Sequence, residues 1–443
     1  MDSDEAKSAK PTSDAQPNRL GAASLTLRKQ AVFTLVILVI LVGLAELGAR
    51  AFSWAIGRMP YSETNVWYSP DEELLYTLRP GYEGLVSEVF QTTARINRHG
   101  RRGEDFPAHK PQGTWRILCL GDSRTFGLEV GEGLSYPAHL QRMAAERTPD
   151  QRIHVINAGT IGYTSYQGLR DLEHRALRFA PDVVTVAFGY NDRRFVLRAD
   201  QADGAAWFRR VARGMQWRDH LNFSYALMGL GEAWRRLLGT RSWEEQVLEL
   251  PSQRLDDLAC RVDEEPYRRN LLGIVALCRS RRIPVVMLVM GDTSRVAEPF
   301  RRGQALREQG RYEAALEAFR RFDQDLPDPS VAGYFRALSF YEIAKTLEAL
   351  GRTDEAAQSF RLGAQAAAKS SVFGGALVRH VDDYIRIAHE VAETQGLPVV
   401  DIERRFHDRP ELYPDHCHFT TEGHRLIAEA LFDCLEDNRL LGR

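Results

Sequence analysis

The chain has 443 residues, 44% of them hydrophobic and 27% charged, with 58 Lys and Arg against 60 Asp and Glu. That is chain enough for a sizeable core, and a net charge of −2 excludes the overall basic bias expected of a nucleic-acid-binding protein. Five cysteines without a CxxC pair exclude a dense disulfide framework and predict mostly reduced thiols, with one disulfide conceivable in an oxidising compartment.

Residues 1–30 are polar, rich in Ser, Asp, Lys and Pro, and predict a disordered arm. The run from Ala31 to Ala45, AVFTLVILVILVGLA, carries no charge, and Thr34 is its only hydroxyl. Continued to Ala49 it makes a helix of about 28 Å, close to the ~30 Å hydrocarbon core of a bilayer, with Glu46 near one interface. Arg28 and Lys29 directly precede the run, and only Arg50 and Arg58 closely follow it. The positive-inside rule therefore predicts a single-pass signal anchor over 31–52 in the cytoplasmic (inner) membrane, with the N-terminus cytoplasmic and the body periplasmic or otherwise outside. Two other readings compete. A cleaved signal peptide fits poorly with the long polar segment before the run and with the Ala-Glu-Leu-Gly-Ala exit. A buried soluble helix fits poorly with a run apolar on every face.

Residues 53–113 mix prolines and glycines with the basic stretch RINRHGRRG (Arg95–Gly103) and read as a juxtamembrane lead-in. From Trp115 short apolar runs alternate with amphipathic segments. Ile117–Leu120, Ile153–Ile156, Val183–Phe188 and Val285–Met290 predict buried strands, and LPVVDI (397–402) a last one. Helical patterns lie around 135–147, 165–179, 266–281 and Glu422–Glu436. Strands alternating with helices predict an α/β protein whose parallel sheet is covered on both faces, with functional groups at the carboxyl ends of the strands.

Two insertions interrupt the alternation. Residues 195–250 read as an irregular, partly helical excursion with many Arg and Trp, and FSYALMGLGEAWRRLL (Phe223–Leu238) in it reads either as a membrane-surface helix or as a core-facing one. In the second, GRYEAALEAF (Gly310–Phe319) and GRTDEAAQSF (Gly351–Phe360) align without gaps and resemble the second half of tetratricopeptide repeats. We read a helical insert over 297–370 that walls the cleft or recruits a protein partner, with a plain helical hairpin extension as the simpler alternative. The Arg pairs 101–102, 193–194, 209–210 and 301–302 read as solvated surface, with anionic glycans or lipid headgroups as the alternative ligands. The division expected is thus 1–30 arm, 31–52 anchor, 53–113 lead-in, 114–296 first part of the sheet domain, 297–370 insert and 371–443 its C-terminal part.

Four motifs sit where strands end: Gly121-Asp122-Ser123, NAGTIGYTS (Asn157–Ser165), GYND (Gly189–Asp192) and YPDHCHFTTEGH (Tyr413–His424). Singly, each is a common turn or cap. Together they supply an acyl-transfer site. Ser123 needs a base to become a nucleophile, and His418 is available, with Asp415 three residues earlier to hold its other nitrogen. The backbone N–H groups of Ser123 and Gly162 and the Asn191 amide suit a developing oxyanion. Asp415, His416, Cys417, His418 and His424 offer metal-ligand chemistry, but neighbours along 415–418 point apart and no second Cys/His cluster completes a set. We expect no metal and no cofactor. His424 reads as packing or capping in the first turn of the last helix.

In these four ordered motifs the chain resembles the SGNH, or GDSL-type, serine esterases and acylhydrolases, over about 114–296 and 371–436. The resemblance implies a flavodoxin-like three-layer α/β/α sheet of order 2-1-3-4-5, with Ser123 as nucleophile, His418 as base, Asp415 as third member, and Ser123, Gly162 and Asn191 in the oxyanion hole. Gly159 competes with Gly162 for that role; Gly162 matches because it directly precedes Tyr163-Thr164-Ser165. One departure is Arg124, which stands where an aliphatic residue often follows the serine and suggests a cation near the mouth of the site. The expected substrate is an acyl ester, on a cell-envelope glycan or a lipid. Two alternatives stand beside hydrolysis: an O-acetyltransferase acting on an envelope polysaccharide with the same triad, and a non-catalytic binding protein built around the insert.

Overall fold

The computed structural model describes residues 26–55, 67–87, 90–196, 208–210, 212–213, 259–292, 298–325, 329–369 and 382–442. The expected arm lies outside the described residues up to position 25, as do most of the 195–250 excursion and all of Phe223–Leu238.

The chain divides into two compact units, the smaller formed by residues 1–60 with 224–231. Its described part is the helix Leu27–Ala55, which exceeds the expected 31–52 at both ends. Leu27–Phe52 is long and apolar enough to cross a membrane, and none of it is buried within the protein. Glu46 accepts from Arg50 Nε at 2.7 Å, one turn on, so the two charges near the helix's C-terminal end compensate each other.

The larger unit is organised by five parallel strands. They are β5 (Thr114–Gly121), β6 (Arg152–Gly159), β7 (Val183–Ala187), β10 (Val285–Val289) and β11 (Val399–Asp401), while β8 (Phe195–Val196) and β9 (Ala259–Cys260) form a separate antiparallel pair. Their spatial order, β11-β10-β7-β5-β6, is the expected 2-1-3-4-5 arrangement read from the other edge. The central strands are mostly apolar, with Arg116 in β5 and Thr185 in β7 as buried polar exceptions, because both faces are covered. Ile117, Val183 and Val286 pack beneath the helices Tyr136–Arg147 and Thr421–Asp437. Leu118, Val184 and Met287 pack beneath Ser165–His174, Glu264–Ser280 and Asp382–Thr394. Register places the site: Gly121 lies opposite Gly159 on one side and Ala187 on the other, so three strands end level and their loops emerge side by side.

Residues 67–113 are more than a lead-in. They contain two antiparallel hairpins, β1 (Tyr68–Asp71) with β2 (Leu75–Leu78) and β3 (Glu83–Ser87) with β4 (Thr92–Arg95). Asp71 Oδ1 accepts from the N–H groups of Glu73 and Leu74, which closes the first turn. Leu74 is fully buried in the core that lies under strand β7, and its carbonyl accepts from Gln167 Nε2 at 2.7 Å.

The repeat in the second insertion is also a repeat of structure. Helices Glu298–Glu308 and Tyr312–Asp325 form one antiparallel pair, and Pro329–Ala349 and Thr353–Lys369 another. Gly310 and Gly351 terminate the first helix of each pair at φ 71° and 72°. Arg311 and Arg352 then donate back to Leu306 and Leu347, both at 2.9 Å, the six-to-one bond of a Schellman turn. Phe319 and Phe360 fill equivalent places in a core of the insert's own.

Candidate active site

Strand β5 ends at Gly121 because nothing larger fits: a Cβ there would stand 2.1 Å from Thr125 Oγ1 and 2.8 Å from the Ala187 carbonyl. Asp122 caps the short helix Ser123–Phe126 by accepting from Arg124 N–H, and this puts Ser123 on its first residue, directly past the strand end. From the far end of the chain, Asp415 and His418 arrive on one tight loop. Asp415 Oδ1 accepts from the N–H groups of Cys417 and His418 at 2.9 and 2.7 Å, and Oδ2 from His418 Nδ1 at 2.7 Å. His418 Nε2 lies 3.0 Å from Ser123 Oγ. Facing the carboxylate, Nδ1 carries the ring proton and donates to Asp415 Oδ2, which leaves Nε2 as an acceptor for the serine hydroxyl. Burial raises the Asp415 carboxyl, but the His418 and His416 rings more than offset it and hold it well below the usual carboxylate range. Burial likewise opposes charge on His418, yet Asp415 beside it holds the ring well above its ordinary value.

The structure also brings the second and third motifs to this point. Thr160 to Tyr163 form a turn closed by Tyr163 N–H on the Thr160 carbonyl at 3.2 Å, with Gly162 at φ 77°. Gly159 is committed elsewhere: its N–H donates to Asn157 Oδ1, and its α-carbon packs against the Phe126 backbone. Asn191 Nδ2 donates to the Tyr163 carbonyl at 3.1 Å, which leaves the amide's second N–H for another acceptor. Asp192 ties the motifs together, accepting from Ser165 N–H and Oγ through Oδ1 and from Gly189 N–H through Oδ2. Burial pushes its carboxyl up to about 7, against the pull of the Ser165 hydrogen bonds.

Arg124 is not at the mouth. It is 1% exposed; its guanidinium donates to both Asp122 oxygens and to the Met290 carbonyl, and it lies 5.5 Å from the Tyr190 ring. A cation in that position neutralises a buried carboxylate, which is why an aliphatic residue is not needed there. Three other arginines read as surface are buried as well. Arg101 pairs bidentately with Asp171, Arg102 spends its N–H groups on the carbonyls of residues 126, 127, 130 and 131, and Arg193 pairs with Asp292 at 2.5 Å. Arg209 and Arg210 are exposed, as expected.

Asp415, His416 and Cys417 hold their ligand atoms within 4.8 Å of one another. Three N–H donors take up three of the roughly four lone-pair sites of the Asp415 carboxylate, and His416 Nε2 is engaged by the Tyr190 hydroxyl at 2.5 Å. His424 bridges more than it caps: its Nε2 meets Glu129 Oε1 at 2.5 Å, and its Nδ1 accepts from Tyr136 N–H. The same Glu129 oxygen accepts from Phe419 N–H, next to His418. In the sequence only the position of Glu129 shortly after the first motif sets it apart. Phe90, which no sequence motif marks, meets the His418 ring edge-on at 5.7 Å. None of the five cysteines forms a disulfide.

A family model described as GDSL-like Lipase/Acylhydrolase family matches residues 119–338, from inside strand β5 to inside the third helix of the insert. The chain carries a GDSL-like lipase/acylhydrolase domain. It is accordingly an esterase of the GDSL type, an enzyme acting on acyl esters. The matched span contains Ser123, Gly162 and Asn191, while the Asp415–His418 loop lies beyond it. Among solved structures the chain is similar to a lipase/acylhydrolase from Enterococcus faecalis, at 15% identity over 73% of this chain and 96% of that one, TM-score 0.35. It is also similar to an acetyl xylan esterase from Geobacillus stearothermophilus, at 14% identity over 72% and 94%, TM-score 0.36. A third similarity is to a GDSL-like lipase from Bacteroides thetaiotaomicron, at 11% identity over 73% and 88%, TM-score 0.32. No curated protein matches the sequence.

Proposed function

We propose that the protein is a membrane-anchored serine esterase in which Ser123, His418 and Asp415 form the catalytic triad. The observation that carries this reading is the unbroken chain of contacts from Ser123 Oγ through His418 to Asp415, at 3.0 and 2.7 Å. His418 Nε2 takes the Ser123 proton as Oγ attacks the ester carbonyl, and Asp415 stabilises the imidazolium that forms. The carbonyl oxygen becomes an oxyanion held by the N–H groups of Ser123 and Gly162 and by the Asn191 amide. On collapse His418 passes its proton to the leaving alcohol, and an acyl group stays on Ser123. Water, activated by the same imidazole, then releases the acid. The apolar helix 27–52 anchors the enzyme, with the positive flank at Arg28 and Lys29 cytoplasmic and the body outside.

Transfer of the acyl group to a sugar hydroxyl instead of water shares every step up to the acyl-enzyme. The test is hydrolysis of p-nitrophenyl acetate by the full-length protein in detergent and by Ser123→Ala. The reading requires turnover by the first and none by the second. Release of free acetate, set against growth of an acetylated glycan, identifies the second nucleophile.

A further inference from the structure

The oxyanion role assigned to Gly162 depends on which way one peptide plane faces. A peptide unit is planar and trans, so its C=O and N–H point in opposite directions and neither turns without the other. The N–H of Gly162 shares its plane with the carbonyl of Ile161. That carbonyl accepts from the Tyr76 hydroxyl at 2.8 Å. Tyr76 belongs to strand β2, in the segment that precedes the sheet domain. It is held there in turn, because Tyr163 Oη donates to the Tyr76 carbonyl at 2.6 Å, and the Tyr76 and Tyr163 rings pack with centroids 5.6 Å apart.

The plane is one that can turn over. Thr160–Tyr163 is a four-residue turn with glycine third and at positive φ, the pattern of a type II turn. Type I differs from it chiefly by rotation of this central peptide. That rotation would take the Ile161 carbonyl away from Tyr76 and swing the Gly162 N–H towards the hairpin. The Tyr76 hydroxyl therefore selects one of two states. It also occupies the space of a side chain at Gly162, since a Cβ there would lie 2.6 Å from Tyr76 Oη. Arg261 Nη1 holds the following carbonyl, that of Gly162, at 2.7 Å, but that carbonyl belongs to the next peptide plane.

We propose that Tyr76 is a positioning residue for the esterase: through its hydrogen bond to the Ile161 carbonyl it fixes the Ile161–Gly162 peptide with the Gly162 N–H turned away from the hairpin and available to the oxyanion. The inference rests on the triad reading above. A donor hydrogen-bonded at its own carbonyl is also polarised into a better donor. The segment between the apolar helix and the sheet domain is thereby part of the catalytic apparatus.

The test compares full-length wild type, Tyr76→Phe and Ser123→Ala in detergent. It measures turnover of p-nitrophenyl acetate, inhibition by phenylboronic acid, which forms a tetrahedral adduct on an active serine, and thermal melting. Rates are normalised to serine titrated by a fluorophosphonate, so that unfolded protein does not count. Losing a whole oxyanion donor costs about 10²–10³ in kcat, so loosening one in Tyr76→Phe is expected to lower kcat about tenfold and raise the boronic acid Ki by a similar factor. KM stays where it is, because binding of the ground state is not altered, and the melting midpoint falls by only a few degrees, the cost of about one hydrogen bond. A Tyr76→Phe enzyme whose normalised kcat and boronic acid Ki both match wild type overturns the proposal, and so does a loss shared equally by KM. If wild type does not turn over the ester, or Ser123→Ala still does, the triad reading fails first and takes this proposal with it.

Discussion

The two loops that meet over Ser123 are held in opposite ways. The loop carrying Asp415 and His418 supports itself: the carboxylate of its first residue accepts the N–H groups of residues 417 and 418 and the ring of His418, all within four positions. The loop carrying Gly162 is held from outside. Tyr76 fixes one of its carbonyls, Arg261 the next and the Asn191 amide the one after, from positions about 30 to 100 residues away. A self-supporting loop brings its chemistry with it wherever the chain delivers it. A loop held from outside has its geometry set in part by segments with no proposed chemistry of their own, here those of Tyr76 and Arg261, and variation in those segments can alter the site without touching a residue of the proposed triad.

This contrast can be broken or sharpened by substitution. The largest effect is expected at the self-supporting loop. Asp415→Asn removes both the orienting acceptor and the charge that raises His418, and should lower kcat about 10⁴-fold. The pH profile checks the cause. The base must be neutral to act, and Asp415 holds His418 above its ordinary 6.5, so activity in wild type should rise with pH through a limb lying above that value. In Asp415→Asn burial loses its main opponent, and the limb should move to lower pH even as the maximal rate falls. An unmoved limb would mean that another group sets it.

Next comes the turn that carries Ser123, also locally built. Arg124→Leu restores an aliphatic residue but strands Asp122 as an unpaired buried charge, which should cost about 3–5 kcal/mol in stability. Asp122→Asn added to it should recover part of the loss, since removing both charges is milder than removing one. Denaturant unfolding of the two variants decides this, and a stable Arg124→Leu protein would contradict the account of the pair. At the loop held from outside, Asn191→Ala removes a donor and the brace on the Tyr163 carbonyl, and should lower kcat by about 10²–10³. The tenfold effect expected of Tyr76→Phe is the smallest, because it loosens a donor without removing it.

The same contrast explains what could be read in the sequence. The strands were legible because Ile117–Leu120, Val183–Ala187 and Val285–Val289 are apolar runs that only a sheet covered on both faces can bury. The positions of Ser123, Asp415 and His418 were legible because each sits in a short motif with its own turn chemistry. Tyr76, Phe90 and Glu129 were not. Their partners lie 85, 328 and 290 residues away, at Ile161, His418 and Phe419, and nothing in a stretch such as ELLYTL announces a distant acceptor. The arginines misled for a related reason. A guanidinium carries five donors on a long stem, and Arg102 uses them on four backbone carbonyls, so an Arg-Arg pair reads as surface until its acceptors are known. Arg124 was misplaced by the same logic, its partner being the aspartate of its own motif.

The most direct test of the central claim is covalent labelling of the full-length protein with a fluorophosphonate, followed by mass mapping of the modified peptide in wild type and Ser123→Ala. The account predicts one adduct per wild-type chain, on Ser123, and none on the folded variant. A folded wild-type protein that takes no label, or a Ser123→Ala protein labelled as fully as wild type, would contradict it.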